Sequence, residues 1–596
     1  MHFGGLYEDE IVGKAYDRTL MARFLRYVRP YAGKGVVVLS LLPLVAAAKL
    51  GQPWLLKIAI DNHIIVGDMA GLPRIAGLYL ALIVGESLLT YAEVYLLQLI
   101  GQRVMTDLRM ELFGHLQRLP TSFYDRTPSG SMVTRLTSDV EVLGEMFAAG
   151  IVTIVGDMLV LTGIIGIMLW LNLKLSLVTF SVLPVLVWVA FTFRVRMRSA
   201  FRQVRARLAN LNTFLAESIG GISVVQLFNR QAQEQQEFKR LNAAYRDANL
   251  PVITWDASLF ALVEALSSVA VGLIIWYGGG EIVRGTLSFG ALVAFIQYIE
   301  KFFSPIRDLS AKYSVMQGAM AALERIFHLL DTDKDLVAPA FTAQAKNSAK
   351  GAEPVQTIEF RDVWFAYNDG NFALRGFDLT IRRGEKVALV GETGGGKTTV
   401  TRLLARMYDV SKGTICFDGI NIREMELPEL RRRIGVVLQE PFLFTGTIRS
   451  NISLSDPAAD GRVKEAVRIV GADRFVSRLP KGEDEEVRER GNNFSAGERQ
   501  LISFARAVAY DPEILVLDEA TASVDTESER LIQQGLKGLM AGRTTLMVAH
   551  RLSTIRDADR IIVIHRGEKV EEGSHDALMA AKGLYYRLYQ LQFKEL

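Results

Sequence analysis

GETGGGKTT, residues 391 to 399, decides how the second half of this 596-residue chain folds. It follows the short apolar run KVALV and precedes VTRLLARMY, so strand, glycine loop and helix come in the order that G-x-x-x-x-G-K-[ST] requires. Gly391, Gly394, Gly395 and Gly396, with Thr393 among them, let backbone N–H groups close on phosphate oxygens. Lys397 supplies charge at the β/γ end, the Thr398 hydroxyl can ligate Mg²⁺, and Thr399 completes the run. The stretch predicts a nucleoside triphosphate site and leaves open which of many NTPases carries it.

The surroundings fit a phosphate loop. Strand-like runs at 357–360, 386–390, 514–517, 544–548 and 560–564 alternate with helical ones, which predicts an α/β nucleotide-binding domain over 357–596. ILVLDE ends an apolar strand on Asp518 and Glu519, at the sheet edge where ligands of doubly wound folds sit. Asp518 is the expected Mg²⁺ partner, and Glu519 can polarise a water for in-line attack. A second candidate is NFSAGERQ, 493 to 500, where Ser495 and Gly497 open a helical run. Its free N–H groups and positive dipole end suit an anion, although Ser495 as an ordinary N-cap explains the same residues.

Half of the chain is hydrophobic, high for a soluble protein. Lys and Arg number 68 against 65 Asp and Glu, so no basic field argues for nucleic acid. Cys416 is the only cysteine, which excludes a disulfide framework and a thiolate metal site. The polar start MHFGGLYEDEIVGKAYDRTL gives no expectation of a signal peptide.

Apolar runs at about 36–60, 75–100, 147–171, 175–193, 257–279 and 288–306 are each long enough to span a bilayer, predicting an all-α six-helix domain over 1–330. The long gaps, 101–146 and 194–256, keep helical periodicity and are basic, Arg194 to Arg207 above all. The positive-inside rule puts them, both termini and the C-terminal half in the cytosol. Pro43, Lys49 and Pro53 suggest that the first span is kinked or faces protein. Glu86, Glu93 and Asp157 fall inside apolar runs, where a charge must face protein or water. They read either as a cation-attracting cavity or as buried structural pairs. Residues 331–356 are polar and patternless, a linker by composition.

Six ordered elements carry a family resemblance: VWFAY, GETGGGKTT, VVLQEPFLFTGTI, FSAGERQ, ILVLDEATASVDTESE and MVAHRLSTI. Over essentially its whole length the chain resembles a half-transporter of the ATP-binding cassette exporters. The resemblance implies that Tyr367 stacks on adenine, that Gln439 touches Mg²⁺ and the attacking water, and that His550 bonds the γ-phosphate. It also implies that Asp525 lies at a subunit contact, and that Ser495, Gly497 and Glu498 face ATP held by a second chain's cassette. ATP and Mg²⁺ are the implied cofactors. Segments 120–138 and 212–228 are the implied contacts between membrane and cassette halves.

The family's signature is Leu-Ser-Gly-Gly-Gln, whereas this chain has Phe494, Ser495, Ala496, Gly497 and Glu498; Arg488 also replaces a glycine. Intact Lys397, Asp518, Glu519 and His550 beside an altered signature imply one subunit of a heterodimer with unequal ATP sites. A homodimer is the alternative, and a nucleotide-gated channel or regulatory subunit a more distant one. Six spans exclude a soluble repair or translation ATPase. The expected setting is a bacterial inner membrane, among membrane lipids, with a hydrophobic drug, lipid or peptide as cargo and no nucleic acid as partner.

Overall fold

A computed structural model describes residues 17–332, 354–367, 370–518, 526–549 and 555–593. The described residues fall into two compact units: one holds the chain up to Gln117 with Ser129–Thr332, the other Arg118–Pro128 with the chain beyond Thr332. The protein is a membrane protein of two kinds of domain, an all-helical transmembrane part followed by an α/β P-loop part.

Five helical stretches are long and apolar enough to cross a membrane among the described residues: Arg18–Ile64, Leu72–Leu116, Ser129–Leu171, Leu173–Gly220 and Gln231–Val283. The sixth expected run lies in the 42-residue helix Phe289–Leu330, which is long enough but not among the five. Gln297, Glu300 and Lys301 interrupt its apolar stretch. One side of this helix packs on protein: Ala294, Phe295 and Tyr298 have no exposed surface and sit in the apolar core of this unit. A helix packed on protein does not need the uniform apolarity that lipid demands. Ala32–Ala59 stays helical through both Pro43 and Pro53, with Gln52 and Pro53 buried, so the protein-facing alternative describes this helix. The helices Leu72–Leu116 and Gln231–Val283 run for 45 and 53 residues, beyond the roughly 20 residues that a bilayer requires.

Among the described residues the second unit holds twelve strands. β1 (Thr357–Ala366), β2 (Phe372–Arg382), β4 (Lys412–Phe417) and β5 (Ile420–Asn421) form an antiparallel sheet in the order β2-β1-β4-β5. β3 (Lys386–Val390), β6 (Ile434–Val437), β9 (Ile514–Asp518), β10 (Thr544–Val548), β11 (Arg560–His565) and β12 (Glu568–Gly573) form a second sheet, ordered β12-β11-β3-β10-β9-β6. It is parallel apart from the β11/β12 edge. β7 (Gly446–Thr447) and β8 (Glu486–Val487) pair separately.

Both faces of the parallel sheet are covered, which is why its strands read as unbroken apolar runs instead of alternating ones. Val387 and Leu389 of β3 enter one core and Ala388 and Val390 the other; β9 divides likewise between Ile514 and Val516 and Leu515 and Leu517. The carboxyl ends of β3, β9, β10 and β6 open onto the same edge, and the loops leaving them carry the chemistry.

Candidate nucleotide site

Residues 391–396 leave β3 and turn into the helix Lys397–Leu404. Gly396 sits at φ 105°, and a Cβ there would meet Ala373 O at 2.6 Å; a Cβ on Gly391 would meet Ile564 O at 2.1 Å. Glycine is therefore required by closeness at both positions and by conformation at Gly396. The outer side of the loop rests on the β11–β12 turn, where the Gly567 N–H donates to Gly395 O at 3.1 Å. Lys397 is buried, and its Nζ donates to Gly391 O at 2.7 Å and Glu392 O at 2.9 Å. The ammonium is thus held within the ring of the loop, where a phosphate oxygen can exchange for a carbonyl.

At the end of β9, Asp518 accepts a hydrogen bond from Thr398 Oγ1 at 3.2 Å. A hydroxyl and a carboxylate side by side are the hard oxygen donors that Mg²⁺ takes, with waters and phosphates supplying the rest. The described residues offer no group of three His, Cys, Asp or Glu that could make an all-protein metal cage. Tyr367 follows β1, its hydroxyl 3.2 Å from Thr399 Oγ1; its ring stands edge-on to Phe365 and Tyr408 at 4.8 and 5.2 Å. Gln439 lies exposed two residues beyond β6. Glu519, Asp525 and His550 lie outside the described residues.

Ser495 caps the helix Ala496–Ala509 through a reciprocal box. Its Oγ accepts from the Glu498 N–H at 3.2 Å, and the Glu498 carboxylate accepts from the Ser495 N–H at 2.8 Å. The ordinary-cap reading of this stretch is the geometry present, with Gly497 buried in the first turn. Two first-turn donors are satisfied by the chain itself.

Two features of the site carry no local sequence signal. His565 places Nδ1 3.8 Å from the Glu392 carboxylate of the phosphate loop. The helix Thr121–Arg126 belongs to the same unit as the sheets: Arg126 donates to Tyr367 O at 3.4 Å, and the Tyr408 hydroxyl donates to Asp125. Burial, and then the Asp125 carboxylate, push the Tyr408 phenol far above its ordinary range. Only folding brings residues 125 and 408 together.

A glycine loop, a buried lysine and a strand-end carboxylate on a parallel sheet define a P-loop nucleotide-binding domain, here in one chain with membrane-crossing helices. Comparison with known proteins narrows the class. Residues 36–306 match the ABC transporter transmembrane region and residues 374–522 the ABC transporter family. The chain is 39% identical to the ABC transporter ATP-binding protein YknV of Bacillus subtilis over 98% of its length and 96% of the relative's. It is 38% identical to the probable multidrug resistance ATP-binding/permease protein YheH of the same organism, covering 88% and 77%. With the ATP-dependent lipid A-core flippase of Syntrophus aciditrophicus identity is 35%, covering 97% and 95%. The chain belongs to the ABC transporters: it is a multi-pass membrane ATPase that couples ATP binding and hydrolysis to transport.

Proposed function

We propose that this chain is one half of an ATP-driven exporter, paired with a second, non-identical half-transporter. The helices over 1–330 form the cargo path, 331–356 the linker and 357–596 the cassette. Thr398, Asp518 and Gln439 hold Mg²⁺, Glu519 polarises the attacking water, and His550 bonds the γ-phosphate. Tyr367 stacks on adenine. Ser495, Gly497 and Asp525 meet ATP held mainly by the partner, with Glu498 beside them. ATP draws two cassettes together and hydrolysis releases them, a two-state shift passed to the spans through segments 120–138 and 212–228.

The reciprocal cap at Ser495 and Glu498 carries the asymmetric reading. A γ-phosphate approaching that helix end must compete with a carboxylate for the Ser495 N–H, and it meets like charge. A second half is further supported by Ile219, Ile222, Leu227 and Phe228, 49 to 79% exposed in the single chain. The relatives' printed roles, multidrug resistance and lipid flipping, support an amphipathic cargo; the basic gaps support a cassette in the cytoplasm of a bacterial cell. Expression alone and with a candidate partner tests the pairing. Cargo-stimulated ATPase should appear only with the second chain. A stable homodimer with full, cargo-stimulated turnover would overturn the asymmetric reading.

A further inference from the structure

Two of the acids within apolar runs are committed inside the chain. The Lys312 ammonium pairs with Asp157, and Glu86 accepts from Gln52 Nε2, which favours the structural-pair alternative for those two. Uncommitted charge lies instead where a span ends. In the helix Leu183–Gly220 the apolar run stops at Phe193, and Arg198, Arg202 and Arg205 follow, all three exposed. Spaced i, i+4 and i+7, they form one stripe along the helix. None of them makes an ion pair among the described residues. The neighbouring helix Gln231–Val283 runs antiparallel: the Phe193 and Trp255 rings meet at 5.4 Å, and Ser218 donates to Glu234 at 3.0 Å. Between those two contacts its acids are already taken, Glu234 by Ser218, Glu237 by Arg240 at 2.5 Å and Asp247 by Arg246 at 2.7 Å.

Trp255 marks the level of the bilayer surface. Arg196 lies over its ring at 5.0 Å, and a tryptophan at the end of an apolar run anchors at the headgroups. At about 1.5 Å per residue, Arg198 stands about 8 Å, Arg202 about 14 Å and Arg205 about 18 Å along the helix from Phe193. The headgroup layer is about 5–8 Å deep, and its field extends about 8 Å farther at physiological salt. Side chains on a helix tilt toward its N-terminus, which is here the membrane end, so these three lean back toward the headgroups. Arg240 and Arg246 sit on the helix that returns to the membrane, tilt the other way, and already hold an acid each. We infer that the stripe of Arg198, Arg202 and Arg205 docks on anionic phospholipid headgroups of the cytoplasmic leaflet. A guanidinium takes a phosphate through paired N–H groups, and an acidic leaflet offers a phosphate to each arginine at once, as one small anion cannot. This rests on the reading that the basic gap after Phe193 lies at the cytoplasmic surface of the bilayer.

The test reads lipid retention without ATP turnover, so its failure is separate from a failure of the exporter reading. The full chain, with whatever partner purifies with it, is passed over a column in neutral detergent holding equal amounts of phosphatidylglycerol and phosphatidylcholine, and the lipid it retains is extracted and counted. Each arginine near an acidic surface multiplies retention roughly fivefold, so phosphatidylglycerol should be kept at least about tenfold over phosphatidylcholine. Raising the salt from about 0.1 M to about 1 M, which shortens the screening length to about 3 Å, should remove most of that preference. The combined variant Arg198→Gln, Arg202→Gln, Arg205→Gln should remove it as well, while Arg240→Gln with Arg246→Gln, whose guanidiniums are paired, should leave it in place. Inorganic phosphate should displace no more lipid than chloride at equal ionic strength; stronger displacement would assign the stripe to a small anion and overturn the docking. Equal retention of the two lipids by the unmodified protein would overturn it whether or not the variants fold. So would a preference that survives the three stripe substitutions, or one lost equally in the paired-arginine control.

Discussion

The two glycine-containing stretches of the cassette, 391–399 and 493–500, look alike in sequence and differ in what they have done with their donors. In the first, the glycines are held open by contacts on their outer side, Ala373 against Gly396, Ile564 of β11 against Gly391 and the β11–β12 turn against Gly395, and Lys397 points back into the ring. In the second, the chain closes its own donors: the Glu498 carboxylate accepts from the Ser495 N–H and Ser495 Oγ from the Glu498 N–H. A helix N-terminus is a potential anion site in both cases. What separates them is whether a carboxylate of the same chain already accepts from the donors there.

If the first loop is the catalytically complete half, the largest effect belongs to Glu519→Gln. Hydrolysis should fall at least on the order of a hundredfold with ATP binding retained, because the water loses its base while the phosphate grip remains. Near-normal turnover, measured as phosphate release, would remove Glu519 from that role. Lys397→Ala should act one step earlier, weakening ATP binding by roughly ten- to a hundredfold through loss of charge at the β/γ-phosphates. Retained affinity in a nucleotide titration would contradict the open-loop description. Gly396→Ala should cost about 1–3 kcal/mol in cassette stability or loop order, since φ 105° and the 2.6 Å approach to Ala373 O both exclude a side chain. Unchanged thermal unfolding together with unchanged ATP affinity would mean that the loop tolerates a shift its contacts do not suggest.

The second loop yields the smallest effect and sharpens the comparison most. Glu498→Gln keeps an oxygen able to accept from the Ser495 N–H, so the cap should survive, but the negative charge is gone. ATP affinity at the site this loop helps to complete should rise about three- to tenfold. Ser495→Ala removes the cap itself and should cost about 1 kcal/mol of helix stability. No change in affinity for Glu498→Gln would mean that charge does not distinguish the two loops.

The phosphate loop, Asp518 and the alternation of strand and helix were legible because each depends on neighbours in sequence. Buried parallel strands announce themselves as short apolar runs such as KVALV and ILVL. Committed charges were less legible. Asp157 pairs with a lysine 155 residues away, and no local pattern separates it from Glu93, for which the described residues show no such pair. The helix Phe289–Leu330 was expected as an ordinary span, yet it is not among the five stretches apolar enough to cross a membrane, because inner packing relaxes the demand for apolarity. Likewise Asp125 and Tyr408 meet across 283 residues, and His565 reaches Glu392 only because β11 lies beside β3. Hydrophobic period and turn chemistry are local signals; side-chain pairing across a fold is not.

The measurement that bears most directly on unequal ATP sites is nucleotide trapping in the assembled transporter. Labelled ATP is added for a single turnover, free nucleotide is removed, and retained ATP and ADP are counted per pair of chains. One ATP should persist unhydrolysed for each ATP converted to ADP, with conversion lost when Glu519→Gln is introduced in this chain alone. Two equivalent ATP molecules hydrolysed at the same rate, or conversion that survives Glu519→Gln, would contradict the account.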